Sequence, residues 1–434
     1  MSKIMNQSPR DTPHTISPKA DPVAGRDPCR FCGALLRHTF IDLGMSPLCE
    51  SYVSVERLNQ MEPFYPLHVF VCDQCFLVQL LEYVKPDHIF TEYAYFSSYS
   101  DSWLRHAQNY VEMITSRLGL GHQTLVVELA SNDGYLLQYF VAKGIPVLGI
   151  EPAKNVAAVA EKKGIRCVTE FFGRELARRL AREGRQADLL LGNNVLAHVP
   201  DINDFVGGVK LLLKPKGVVT MEFPHLLRLI ERNQFDTIYH EHFSYLSLST
   251  TEKIFAAHGM RLFDVEELST HGGSVRIYAC HAENADRETG SRIFEVKARE
   301  EAAGFGQIES YSRFAEKVMS TKWRLLDFLI RARREGKRVA GYGAPGKGNT
   351  LLNYCGIRTD FVEYTVDRNP YKHGKFLPGT HIPIFPPERI RETRPDYILI
   401  LPWNLRDEIV VQLAYVREWG GKFVVPIPDV EVID

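Results

Sequence analysis

No stretch of this sequence approaches the ~20 consecutive apolar residues needed to cross a bilayer, and its first residues lack the apolar core of a signal peptide. Excess charge is missing too: 52 Lys and Arg stand against 53 Asp and Glu, a formal net charge of −1. Basic residues form no block, so bulk electrostatics offer nothing to a nucleic acid, and an anionic ligand would need a local pocket. There is no tandem repeat beyond a doubling of one α/β pattern. These absences lead us to expect a cytoplasmic protein with no membrane or nucleic-acid partner. They say nothing of its oligomeric state. Cysteine is sparse, eight in 434 residues, yet four of the eight fall in two Cys-x-x-Cys pairs. In a cytosolic chain that pairing points to metal rather than to disulfides.

What is present is ordered alternation. Residues 1–28, rich in Pro, Asp, Ser and Lys, read as a disordered tail, and 29–86 form a small lobe around the cysteines. In 87–283 a helix is predicted over 102–118. TLVVELA (124–130), PVLGIEP (146–152), RCVTE, ADLLLGNNV (187–195) and GVVTMEFP (217–224) then alternate with helical segments near 134–143, 154–164, 173–183 and 203–213. Short apolar runs alternating with helices predict a parallel sheet covered on both faces. RLFDVEELS and SVRIYACH are placed to close it in antiparallel fashion. Residues 284–336 read as connecting helices, and 337–434 repeat the α/β alternation on a smaller scale.

Cys29-x-x-Cys32 and Cys72-x-x-Cys75 supply four thiolates, the set a tetrahedral Zn²⁺ prefers. The 39 intervening residues exceed the usual zinc-ribbon gap of about 15–20; the alternative is two unrelated pairs in a reduced core. Four cysteines leave no position for water, so such a metal is structural.

Glu128-Leu-Ala130-Ser131-Asn132-Asp133-Gly134 follows the first strand and opens a helix, the place where a Rossmann-like sheet binds its ligand. Only one glycine is present, which argues against a pyrophosphate at this turn. Glu151 ends the second strand, where a carboxylate suits two ribose hydroxyls. Asp133 and Gly134 suit an amino-acid moiety. Phe172, in Glu170-Phe171-Phe172, suits an adenine, and Asn193 ends the fourth strand at the same crevice. This constellation fits S-adenosylmethionine, against a generic α/β domain with acidic turns.

After the fifth strand comes Asp236-Thr-Ile-Tyr239-His240-Glu241-His242-Phe-Ser-Tyr245, with His198 leaving the fourth strand toward the same crevice. Histidine is the commonest general base near neutral pH. Methylating carbon requires an acidified C–H, a base, and donors to hold an enolate oxygen; this cluster can supply both base and donors. Metal binding by His-x-His and hydrogen-bonded packing are the alternatives. Chemistry alone does not separate His242 from His240.

Gly341-Tyr-Gly343-Ala344-Pro-Gly346 matches G-x-G-x-x-G after a strand, and Asp367 lies 21 residues beyond its last glycine, as in a dinucleotide fingerprint. Gly348 stands where a P-loop has Ser or Thr. Lys347 and a helix N-terminus suit a diphosphate, whether that of NAD or of a nucleotide sugar.

Taken together, the two Cys pairs, YAYFSSYS (93–100), ELASNDGYLL (128–137), NNVLAHV (193–199), YHEHFSY (239–245), HGGSVR (271–276) and GAPGKGNTLLNY (343–354) resemble the sugar C-3-methyltransferases of antibiotic deoxysugar pathways, from Cys29 to about Pro428. The resemblance implies an α/β fold class: a zinc-binding lobe, a class I methyltransferase core, and a second Rossmann-like domain without bound NAD. It implies S-adenosylmethionine and structural Zn²⁺ as cofactors. The implied partner is a nucleotide-diphosphate-linked substrate, a dTDP-4-keto-deoxysugar methylated at C3. His242 would be the base, Glu241, Tyr239, His198 and Tyr93 would line the sugar, and Gly343, Ala344, Lys347, Gly348, Asn349 and Asp367 would hold the nucleotide. Ala130-Ser131 departs from the family's commoner Gly-Cys. Competing readings are an NAD-dependent sugar oxidoreductase, an O- or N-methyltransferase, and a zinc-dependent interaction module with an inactive core.

Overall fold

A computed structural model describes residues 25–85 and 97–434. Three sheets organise them. The first is antiparallel: β1 (His38–Ser46), β2 (Tyr65–Val71), β3 (Val78–Leu80) and, from far along the chain, β9 (Ser244–Tyr245). β9 pairs Val78 with Tyr245 and Gln79 with Ser244. The cysteine lobe is therefore completed by the segment that follows the His-rich cluster. Two residues have no measurable periodicity, so nothing local in the sequence marks this strand.

The second sheet contains β4 (Val126–Leu129), β5 (Val147–Ile150), β6 (Cys167–Val168), β7 (Ala187–Asn193), β8 (Leu213–Pro224), β10 (Met260–Leu268) and β11 (Ser274–His281). Its order is β10-β11-β8-β7-β4-β5-β6. The strands are parallel except β11, which runs antiparallel to both neighbours. β4, β7 and β5 are apolar and buried because helices cover both faces. The order reverses at β4, so the crevice at its carboxyl end is the ligand position.

The third sheet, with order β14-β13-β12-β15-β16-β17, comprises β12 (Val339–Tyr342), β13 (Thr365–Val366), β14 (Ile384–Phe385), β15 (Tyr397–Ile400), β16 (Lys422–Val425) and β17 (Glu431–Ile433). β14 and the antiparallel edge β17 were not expected from sequence. Both are short, and β17 is largely exposed.

The connecting helices are Ser291–Ala302, Ile308–Ser312 and Phe314–Arg334. The last presents Phe314, Val318, Leu325 and Leu329 to a core shared with Phe40 and Val69 of the first sheet and Leu399 and Val424 of the third. Glu300 fixes these helices to the second sheet. It pairs with buried His225 at 2.7 Å and accepts from the N–H groups of Leu248 and Ser249 at 2.6 and 2.9 Å, capping the helix Leu248–Ala257. Among the described residues, no helix is long and apolar enough to cross a membrane.

Candidate active site

The four cysteines converge. Cys29 and Cys75 Sγ lie 3.6 Å apart, Cys32 and Cys72 3.5 Å apart, and all four Sγ atoms fall within 4.8 Å of one another. Bonds of about 2.3 Å to one tetrahedral ion require sulfurs roughly 3.8 Å apart, so the set fits Zn²⁺. Gln79 Nε2 donates to Cys29 Sγ at 3.1 Å while its Oε1 accepts from Arg30 N, an outer-shell tie of the kind that orients ligands. This site lies on the first sheet and contributes no side chain to the crevice chemistry.

At the end of β4 the chain turns sharply, with positive φ at Ala130 (54°), Asn132 (48°) and Gly134 (73°). Glycine at 134 is required twice over: a Cβ there would sit 2.3 Å from Ile165 Cδ1 and 3.2 Å from Ala160 Cβ. Glu151 accepts from Asn132 N at 3.0 Å and Ala153 N at 2.9 Å. Burial raises its carboxyl, and those two N–H groups pull it back. Glu128 is fully buried beneath the turn and is raised well above the carboxylate range by burial, then by Glu151 and Asp133. Asp133 Oδ1 and Asn193 Nδ2 are buried without a hydrogen bond among the described residues: an acceptor and a donor at one strand-end crevice, which suits an amino-acid zwitterion. Phe172 packs edge-on against Phe205 with centroids 5.3 Å apart, beside exposed Phe171, and Glu170 pairs with Arg179. The residues present thus fit S-adenosylmethionine.

The histidines part company. A turn closed by His242 N on Tyr239 O at 2.9 Å sends His240 toward the first sheet, where its Nε2 meets Pro66 O at 3.2 Å. His242 goes the other way. Its Nδ1 donates to the Thr237 carbonyl at 2.7 Å, and its ring lies 4.0 Å from Tyr239 and 4.6 Å from His198. The two histidines do not chelate one ion, and among the described residues the four cysteines are the only metal-ligand cluster. Burial drives His242 well below its ordinary range, reinforced by His198, His271 and Lys347. Burial also takes His198 down to about 4, against a hydrogen bond with the Glu241 backbone. Tyr239 is held protonated by burial and by Cys49 and Glu241 nearby. Glu241 accepts from Cys49 Sγ at 3.6 Å. Tyr93 lies outside the described residues.

Three participants had no role in the sequence reading. His271, in HGGSVR, adopts φ 52° and meets Asn194 (φ 55°) at 2.8 Å, Nε2 to Nδ2. Two non-glycine residues in the left-handed region, bonded to each other at a cleft, mark a position the surrounding structure over-determines. Trp103 packs against His271 with centroids 5.1 Å apart. Beneath them Glu222 accepts from Thr270 Oγ1, His106 and Arg276 at 2.8, 2.9 and 2.6 Å and so fixes the turn that carries His271.

The glycine turn after β12 is covered. Asp367 Oδ2 accepts from Ala344 N at 2.7 Å, and the Ala344 carbonyl takes Tyr52 Oη at 2.6 Å and Lys372 Nζ at 2.9 Å. A Cβ on Gly346 would meet Cys49 Sγ at 2.8 Å and Glu50 Oε1 at 3.5 Å. Asn349 Nδ2 donates to the Cys49 carbonyl at 2.6 Å. Gly343, Ala344, Gly348 and Asn349 are buried. Asp367, which a dinucleotide fingerprint assigns to a ribose, is engaged by its own turn, so the geometry does not favour NAD.

A seven-stranded sheet with one antiparallel strand, an acidic crevice at its switch point and buried histidines beside it define a class I S-adenosylmethionine-dependent methyltransferase. Models of known families divide the chain accordingly: a zinc binding domain over 29–90, a methyltransferase domain over 103–265 and a C-methyltransferase C-terminal domain over 269–428. The C-methyltransferase NovU of Streptomyces niveus is 37% identical over 407 residues, covering 94% of this chain and 97% of its own length. The chain belongs to this C-methyltransferase family. A ubiquinone biosynthesis O-methyltransferase of Bartonella bacilliformis is 25% identical over 95 residues, 22% of this chain and 38% of that one. Among solved structures, the PH0226 protein of Pyrococcus horikoshii OT3 aligns at 15% identity over 45% of this chain and 97% of its own, with a TM-score of 0.36.

Proposed function

We propose that this enzyme methylates carbon beside a ketone: C3 of a nucleotide-linked, dTDP-type 4-keto-deoxysugar. The observation that carries the reading is the His242–Thr237 bond, because a backbone carbonyl can only accept. The ring proton is therefore on Nδ1, and Nε2 keeps its lone pair. S-adenosylmethionine supplies an electrophilic methyl group. The ketone acidifies the neighbouring C–H, and His242 Nε2 removes that proton in a buried setting that keeps the imidazole neutral beforehand. Tyr239 and His198 stand beside it as donors to the substrate. Glu151, Asp133 and Asn193 orient the methyl donor.

We further read 29–86 as the zinc lobe, 87–283 as the methyltransferase core, 284–336 as the connector and 337–434 as the nucleotide-sugar domain, with Gly343, Ala344, Lys347, Gly348, Asn349 and Asp367 shaping the substrate side. The NovU likeness supports C-methylation over O- or N-methylation. Incubation with S-adenosylmethionine and a panel of dTDP-4-keto-deoxysugars should yield product carrying one extra methyl on carbon by NMR. A methyl found on oxygen or nitrogen, or no product across the panel, would overturn the substrate assignment.

A further inference from the structure

Lys347 is the second residue of the helix Gly346–Cys355, following the glycine turn, where a lysine ordinarily meets a phosphate. Its side chain leaves that turn. Nζ donates to Asn404 Oδ1 at 2.6 Å and lies 4.6 Å over the Trp403 ring. Trp403 Nε1 in turn donates to Asp236 Oδ2 at 2.6 Å. The same ring closes on Gly272, where a Cβ would lie 2.6 Å from Cη2. Asp236 precedes Thr237, the residue that holds His242, and Gly272 follows His271. The ammonium thus stands on an aromatic wall spanning the His242 loop and the His271 turn. Among the described residues its one hydrogen bond goes to a neutral amide; burial lowers the ammonium, and the Asp236 carboxylate, beyond ion-pair distance, favours its charged form. That charge reaches both rings: after burial, it helps hold His242 and His271 neutral.

Two anions compete for such a cation: the diphosphate of a nucleotide, and the oxygen that becomes negative beside a deprotonated carbon. The diphosphate is disfavoured here. The glycine turn is covered by residues 49–52 and closed by Asp367, with the Glu50 carboxylate against Gly346. The cation stands instead over the Trp403 ring, which bonds Asp236 at the start of the His242 loop and closes on Gly272.

We propose that Lys347 is a further catalytic residue, whose ammonium donates to the ketone oxygen as that oxygen becomes an enolate. This rests on the keto-sugar reading given above. His242 Nε2 takes the proton, the C–H electron pair becomes the new C=C bond, and the carbonyl π pair moves onto oxygen, where Lys347 donates a hydrogen bond without losing its own proton. As the carbon bonds to the methyl group, the S–CH₃ pair leaves with sulfur, the oxygen pair re-forms C=O, and Lys347 ends unchanged. Asp236 and Trp403 are positioning residues.

The test uses the full-length enzyme saturated with S-adenosylhomocysteine in D₂O, reading exchange of the C3 hydrogen of a dTDP-4-keto-deoxysugar by NMR. Methyl-transfer kcat and KM and the affinity for free dTDP are measured in parallel. Lys347→Gln should lower both exchange and kcat by about 10²–10³-fold, the usual cost of losing one oxyanion donor, with dTDP affinity within about threefold. Lys347→Arg, which keeps the charge, should recover part of the loss. Unchanged affinity for S-adenosylhomocysteine certifies that each variant is folded. Retained exchange and kcat, with KM and the dTDP dissociation constant raised tenfold or more, would make Lys347 a diphosphate ligand and overturn the proposal. Absence of exchange in the wild-type enzyme with every keto-sugar, while S-adenosylhomocysteine still binds, would remove the substrate reading and this proposal with it; that outcome is separable because it requires no variant.

Discussion

The Thr237 carbonyl accepts from His242 Nδ1 at 2.7 Å, and that one bond settles which histidine nitrogen is free to take a proton. Replacing His242 with Asn removes Nε2 and the lone pair on it. We expect kcat to fall by at least about 10²-fold, in keeping with general-base losses, while S-adenosylhomocysteine binds as in the wild type by calorimetry. Substantial residual turnover would move the base to another group. His240→Asn, at a ring turned toward Pro66, should leave most activity.

The pH profile follows from burial. His242 is held well below its ordinary range and His198 at about 4, so both are neutral throughout pH 6.5–8. The acid limb of kcat/KM should therefore lie below the free-histidine value of about 6.5. A limb at pH 7 or above would show that a different group carries the proton.

Glu151 anchors the crevice through Asn132 N and Ala153 N. Glu151→Ala should weaken S-adenosylhomocysteine binding by about 10–100-fold, the equivalent of roughly 1.5–3 kcal/mol for hydrogen bonds to a charged group, with little change in the far-UV circular dichroism. Unchanged affinity would remove Glu151 from the ribose position.

Structural zinc couples to folding. Ligation by four thiolates is worth about 10–16 kcal/mol in small zinc sites, comparable to the whole stability of a domain, about 5–15 kcal/mol. Cys72→Ser, or removal of metal by a chelator, should lower the melting temperature and expose the apolar faces of β1–β3 to a hydrophobic dye. A metal-free preparation of equal stability would contradict a structural role.

Acid should loosen the sheet beneath His271. Burial raises the Glu222 carboxyl, but His106 and Arg276 outweigh burial and bring it to about 2. A carboxyl depressed in the folded state contributes stability above its unfolded value of about 4.3 and loses that contribution as pH falls toward 2. The contribution is on the order of 3 kcal/mol. Denaturant midpoints should drop between pH 5 and 3 in the wild type and much less in Glu222→Gln, which starts lower; parallel slopes would exclude Glu222 as the source.

Much of the core was legible because its signals are local. The runs TLVVELA and ADLLLGNNV became β4 and β7, and Glu128, Glu151 and Asn193 fell at or just beyond strand ends, where the parallel pattern puts ligands. The cofactor turn was read as a departure at Ala130. The backbone there is left-handed, with φ 54°, which explains why glycine is the commoner residue in such a turn. The NAD-like fingerprint, by contrast, is real as a string, but its turn is packed against residues far along the chain. Its glycines do pack closely against other chain, but the neighbours are Cys49, Glu50 and Pro402.

The sequence by itself determined the order of elements, the four-thiolate set and the placement of acidic groups at strand ends, since residue periodicity and two-residue spacers act within one element. Only the tertiary structure decided that β9 completes the cysteine lobe, that His242 and not His240 faces His198, and that His271, Trp403 and Lys347 share one wall. Those relations depend on which way a side chain leaves a turn and on contacts between residues 77 to 300 positions apart. Global packing sets them, and no local pattern encodes them.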